Sequence, residues 1–142
     1  MKLRQRLSCG LVPAALLVLM LSGCGGAAQT GQTVLRVTER DFRITAPLRA
    51  KAGDFVLSVR NRGPDAHELI VVRERSARLP LRRDGSTVSE EKLEPITVGA
   101  LEPGQPGSVR KLRLHLAPGR YELFCNMSGH YLGGMRTTLV VG

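Results

Sequence analysis

The 142-residue chain has no tryptophan, only three cysteines and three histidines, and no apolar run longer than the stretch from Leu11 to Leu21. Pro13 interrupts that run, which falls short of the roughly 20 apolar residues that a membrane-spanning helix needs. No segment repeats. So few cysteines exclude a disulfide-held scaffold, and a folding part of this length buries a real core without cross-links.

The first residues have a different account. Lys2, Arg4 and Arg6 form a positive start, the short apolar run follows, and small residues close it at Leu21-Ser22-Gly23-Cys24. That order is the physical signature of an export signal. The Leu-Ser-Gly-Cys ending resembles the lipobox of bacterial lipoproteins. The resemblance implies that residues 1–23 are a lipoprotein export signal, and that Cys24 becomes the first residue and carries a lipid. The chain is then exported and held at the cell membrane or a periplasmic leaflet of a bacterium. The alternative is an ordinary secretory signal cut near Ala27 or Ala28. Residues 24–32, rich in Gly, Ala, Gln and Thr, read as a flexible tether, and 33–142 as one domain of ordinary size.

Export argues against nucleic acid as a partner. Three of the 21 basic residues and none of the 12 acidic ones lie in the signal, so the rest carries a net charge of +6. Its basic residues are nearly all arginine and are scattered along the sequence. Such a surface either steers the chain towards an acidic partner or an anionic membrane face, or simply keeps it soluble. Cys9 leaves with the signal and Cys24 is the lipidation site, so Cys125 is the one thiol of the domain. With no internal disulfide partner in an oxidising compartment, it needs another explanation.

The domain reads as all-β. Period-two alternation runs through Thr33 to Arg40, Phe42 to Ala46, Phe55 to Arg60, the Leu112/Leu114/Leu116 stripe, Tyr121 to Cys125 and Thr137 to Val141. Leu69-Ile70-Val71-Val72 is continuously apolar, as expected of a strand buried on both faces or near a barrel closure. Turn signals at Ala52-Gly53-Asp54, Asn61 to Asp65, Pro103-Gly104 and Pro118-Gly119 separate them. About seven short strands predict a Greek-key sandwich or barrel. Tyr121, just after a tight turn, matches the tyrosine corner of such folds. The polar segment from Glu74 to Gln105 is expected to be one long loop insertion, either irregular or opened by a Thr87/Glu90 capping box.

The chemistry is concentrated between Tyr121 and Met135. Alternation turns the Cys125 thiol inward at a strand end, and glycines after it permit a tight loop that returns His130 and Met135 towards the sulfur. Thiolate, imidazole and thioether form a soft set, and a blue-copper centre adds a second histidine. His115 alternates outward with Arg113. His67 sits at the start of the apolar strand, where its side chain reaches the same rim, and is the expected fourth ligand. Met127 is a competing thioether, but it lies inside the tight turn. Zinc is chemically possible, though the thioether argues against it. A hydrolase built on Cys125 and His130 lacks any oxyanion motif and leaves the methionine without a role, so no enzymatic activity is expected.

Asn61-Arg62-Gly63, then His67-Glu-Leu-Ile-Val-Val, then Tyr121-x-Leu-Phe-Cys125-x₃-Gly129-His130-x₄-Met135 resemble the type 1 copper site of the cupredoxins, such as plastocyanin and azurin. The likeness covers nearly all of residues 33–142 and is nearest to small bacterial cupredoxin-like copper proteins with a long polar insertion. It implies a Greek-key β-sandwich with His67, Cys125 and His130 as equatorial ligands of one copper and Met135 as the axial one. The implied function is single-electron transfer between membrane-associated partners, a cytochrome or an oxidase, by a monomer. The alternative is a copper reservoir, or a donor of copper to an acceptor such as a respiratory oxidase. One position departs from the pattern: Glu68 stands where the relatives carry an asparagine that ties the two ligand loops. The tie must then come from another group, Asn126 or Ser128, or be weaker.

Overall fold

The computed structural model describes residues 32–75 and 78–142; the expected export signal, Cys24 and most of the expected tether lie outside the described residues. Two sheets pack face to face. The first has the order β2-β1-β4-β7, formed by β2 (Arg43–Thr45), β1 (Thr33–Arg40), β4 (Gly53–Asn61) and β7 (Val109–Leu116). The second has the order β3-β9-β8-β5-β6: β3 (Arg49–Ala50), β9 (Arg136–Val141), β8 (Gly119–Phe124), β5 (His67–Arg73) and β6 (Thr97–Gly104). β1 runs parallel to β4 and β3 parallel to β9, while the other pairings are antiparallel. This is the all-β sandwich that the alternation predicts.

Each strand turns its apolar set inward. Leu35 and Val37, Phe55, Leu57 and Val59, Leu69 and Val71, Tyr121 and Leu123, and Leu139 and Val141 fill the space between the sheets. The Tyr121 hydroxyl donates to the Ala117 carbonyl at 2.8 Å, so the tyrosine corner is formed. Every strand pair and both apolar clusters among the described residues fall within 33–142.

The segment Glu74–Gln105 differs from a single loop in two ways. First, its end is β6, an edge strand on β5. Most of its side chains are exposed, so it carries no clean apolar alternation to betray it. Second, its middle is packed down. Leu79, Val88 and Leu93 close over Ile70, Val72, Phe124 and Tyr131 in a second apolar cluster. This explains the unbroken Leu69–Val72 run: Leu69 and Val71 face the main core, and Ile70 and Val72 face the insertion. The short helix α1 (Glu90–Leu93) has Ser89 at its N-cap with no side-chain cap. The Thr87/Glu90 capping box is therefore not formed, because the helix starts too late for it. The Thr87 carbonyl instead accepts from the Arg82 N–H at 2.9 Å, and the Glu90 carboxylate accepts from Asn126.

Leu93, 1 % exposed, is the residue through which α1 is held down. Leu93→Ala is expected to lower the unfolding free energy by about 2–4 kcal/mol, measured as a fall in the denaturant midpoint. An unchanged midpoint would mean that the insertion is not part of the cooperative fold.

Candidate metal centre

Three side chains meet at one rim of the sandwich. His67 opens β5, Cys125 follows the last residue of β8, and His130 sits on the loop between β8 and β9. β5 and β8 are antiparallel, with Ile70 opposite Phe124, so the start of one strand lies beside the end of the other. The loop is held by its own backbone. The His130 N–H donates to the Met127 carbonyl at 2.9 Å, Met135 to His130 at 2.9 Å, and Cys125 to Met135 at 3.1 Å. Gly129 and Gly134 take φ of 79° and 92°, the left-handed region that side chains disfavour. At Gly133 a Cβ would stand 2.6 Å from the Phe42 ring, so only glycine lets the loop close on that aromatic.

The donor atoms face one another. His67 Nδ1 lies 3.3 Å from His130 Nδ1, which lies 3.5 Å from Cys125 Sγ. The three ligand atoms fall within 4.8 Å of one another and form the one such group of His, Cys, Asp and Glu among the described residues. Donors about 2.0–2.3 Å from a shared ion, at trigonal or tetrahedral angles, stand roughly 3.2–3.6 Å apart. The spacing therefore suits a first-row metal ion. His67 and Cys125 are fully buried, and His130 is 9 % exposed. Met135 is fully buried in the core cluster, while Met127 is only partly buried against it. His115 is excluded from the rim: it lies at the other end of β7, 68 % exposed and 2.8 Å from Asp54.

Burial sets the electrostatics. It pushes the Cys125 thiol up to about 11, against the pull of backbone N–H groups from Met127 and Glu68. Without a cation the sulfur stays protonated at neutral pH; a bound metal reverses that preference. Burial, and then the neighbouring His130, lower the pKa of His67 from its ordinary value. Glu68 does not leave the ligand loops untied. Its N–H faces the Cys125 sulfur, and its own carboxylate accepts from the Asn126 backbone, although burial raises its pKa. The Asn126 side chain reaches further, bonding Val88 through both its oxygen (2.6 Å) and its nitrogen (3.1 Å) and donating to Glu90 at 2.8 Å. The tie thus runs through Asn126 to the insertion, while Ser128 is exposed. On the other side, Asn61 donates to the Asp65 and Gly104 carbonyls at 2.7 and 2.8 Å and accepts from the Gly63 N–H at 2.6 Å. Those bonds lock the turn that delivers His67.

Sequence reasoning missed three participants. Asp41 Oδ1 lies 3.0 Å from His67 Nε2, away from the metal-facing nitrogen, though off the line of a well-directed hydrogen bond. Phe42 meets the His130 ring edge-on at 5.2 Å. Glu39, fully buried, ion-pairs with Arg110 while its other oxygen has no partner. No motif announces them, since all three come from a strand end far from the ligands in sequence.

Neither a family model nor a curated protein sequence matches the chain. Solved structures do. Auracyanin A, a "blue" copper protein from Chloroflexus aurantiacus, superposes with a TM-score of 0.60 at 16 % identity, over 79 % of this chain and 100 % of that one. Reduced auracyanin from Roseiflexus castenholzii gives 0.58 at 15 %, covering 78 % and 98 %. Rusticyanin from Thiobacillus ferrooxidans gives 0.59 at 13 %, covering 78 % of each chain. The fold is the cupredoxin fold. At these identities the likeness concerns architecture, and the site's chemistry rests on this chain's own residues.

Two outcomes test this rim. Asp41 favours the proton on His67 Nε2, leaving Nδ1 bare towards the other donors. In metal-free protein, ring nitrogen NMR is expected to report that tautomer in the wild type and a growing Nδ1–H population in Asp41→Ala; identical spectra would refute the role. Burial, partly offset by Arg110, raises Glu39 from 4.5 to about 7. The folded protein holds this proton up to about pH 7, whereas the unfolded chain loses it near 4.5. The stability Glu39 contributes is therefore complete below 4.5 and falls by about 3 kcal/mol as the pH rises to 7. Glu39→Gln is expected to remove that fall from the pH profile of unfolding, whatever slope the other groups leave.

Proposed function

We propose that the domain binds one copper ion through His67, Cys125 and His130, with Met135 as the axial thioether, and carries single electrons between membrane-associated redox partners. The observation that carries this reading is the convergence of two imidazole Nδ1 atoms and one thiol sulfur in a water-poor rim. Copper is favoured over zinc by the softness of the set and by a buried methionine on the same loop. Copper held there supplies a Cu(I)/Cu(II) couple.

The chain's own residues do the rest. Cys125 and His67 are fully buried at adjoining ends of two paired strands of one sheet, so their positions resist change when the charge at the site changes. N–H groups from Met127 and Glu68 stabilise negative charge on the sulfur. His130 alone reaches the surface, edged by Phe42 and Leu132, which are 49 % and 55 % exposed. This small apolar patch, also lined by Gly133, suits a weak and quickly released partner, and it gives electrons a route through the imidazole. A carrier of this design needs no substrate site, and we assign it no enzymatic activity.

Export and lipid attachment at Cys24 complete the proposal: a lipid tether keeps the domain beside membrane partners. No helix among the described residues is long and apolar enough to cross a membrane.

Adding Cu(II) to the protein is expected to produce an intense blue thiolate-to-copper band that disappears in Cys125→Ser. A colourless wild-type complex would sink the copper assignment. If the band forms, rapid electron exchange with a cytochrome or oxidase supports the shuttle, and ready loss of Cu(I) to an acceptor protein would make it a carrier of the metal instead.

A further inference from the structure

The outward face of the four-stranded sheet is charged with one sign. Alternation turns Arg36 and Arg40 of β1, Arg43 of β2, Arg60 of β4, and Lys111 and Arg113 of β7 to the same side, and all six are exposed. The register makes them neighbours: Arg40 is opposite Arg43, Arg36 opposite Ser58, Ser58 opposite Lys111, and Val56 opposite Arg113. Neighbouring strands lie about 4.8 Å apart, so these cations fall within about one Debye length of each other. Among the described residues, the one acid on this face is Asp54, which His115 already accompanies. Among the described residues, none of the six cations has an ion-pair partner.

This face therefore carries a net charge of +5, its six cations less Asp54, against a net +6 for the whole chain from Cys24 onward. Val34 and Val109, 58 % and 53 % exposed, project from the same face. The opposite sheet is different: the insertion covers the outer face of β5 and β8, and acids such as Glu74, Glu90, Glu91 and Glu94 offset its arginines.

We propose that this basic face lies on the headgroups of an anionic lipid bilayer. A broad sheet face with dispersed cations and two protruding valines matches a plane of charge better than a single acidic ligand, which would call for a recess. Thr33, the first residue of β1, belongs to this sheet, and it stands nine residues after Cys24. That length of chain reaches at most about 30 Å, so a lipid at Cys24 keeps this sheet near the bilayer. One lipid signal combined with a basic patch gives firmer attachment than either alone. Thr33 and the metal rim are at opposite ends of β1. A sheet lying flat therefore points the His130 patch sideways along the membrane, towards partners embedded in it.

The inference rests on the membrane-tethered reading for the location of the bilayer. The test needs neither the lipid nor copper, so its failure and the absence of acylation at Cys24 read out separately. The chain from Gly25 onward, which contains both sheets and both cores, is sedimented with vesicles. Binding is expected to phosphatidylglycerol-containing vesicles at low ionic strength and not to pure phosphatidylcholine, and to vanish near about 0.5 M salt. Reversing Arg36, Arg60 and Lys111 to Glu is expected to weaken it by at least about 100-fold. Reversing Arg82, Arg83 and Lys92 to Glu on the insertion changes net charge equally and is expected to leave most binding intact.

Equal loss in the two triple variants, or no binding to anionic vesicles, overturns the proposal. So does displacement by millimolar inorganic phosphate, which would indicate a discrete anion site. Capture of an acidic protein through the same three residues without vesicle binding would assign the face to a protein partner and likewise overturn it. Should the Glu triple fail to fold by circular dichroism, the corresponding Gln triple gives the reading, with a smaller loss expected.

Discussion

β5 is the strand on which the rest of the molecule depends, because it is buried on both faces and paired on both edges. Leu69 and Val71 belong to the core between the sheets, and Ile70 and Val72 to the cluster under the insertion. β6 and β8 hydrogen-bond its two edges. Sliding it by one residue would exchange its two faces and break both clusters at once. His67, at its first position, inherits that rigidity. The antiparallel pairing with β8 then delivers Cys125 to the same rim, and the short loop brings back His130. A metal site that must change charge with little movement is well served by donors mounted this way.

The same burial creates the site's electrostatic tension. Glu39, Asp41, Glu68 and Asn61 crowd polar groups around a place where water has little access, and among the described residues Glu39 Oε1 and Asp41 Oδ1 lack hydrogen-bond partners there. Each buried polar group costs free energy unless it is bonded or neutralised. Arg110 partly neutralises Glu39, the Asn126 backbone serves Glu68, and Asn61 is saturated by backbone. A cation between the imidazoles and the thiol would meet the Cys125 sulfur that burial keeps protonated.

Much of the candidate site was legible because it is local. Cys125, His130 and Met135 lie on one loop, and residue type with spacing already suggests a soft metal set. His67 followed from its place at a strand end, and His115 was set aside by alternation. The fold was legible for the same reason, since period two marks each well-buried strand. Edge strand β6 escaped because an edge exposes most of its side chains and needs little apolar patterning. The packing of the insertion escaped because three apolar residues spread over fifteen positions show no period. Asp41, Phe42 and the Glu68–Asn126 tie were invisible because their meaning comes from contacts between distant segments.

The near absence of cysteine bounded the answer at the start. By itself the sequence determined the strand periodicity, the soft donors and the single thiol left without a disulfide partner, all properties set by residues near one another in the chain. The arginines looked scattered along it, and their arrangement was decided only in three dimensions. Alternation sends every second side chain of a strand outward, but register between strands, fixed by core packing, decides which outward residues become neighbours. In β1, β2, β4 and β7 that register gathers six cations on one face and leaves the metal donors together at the rim.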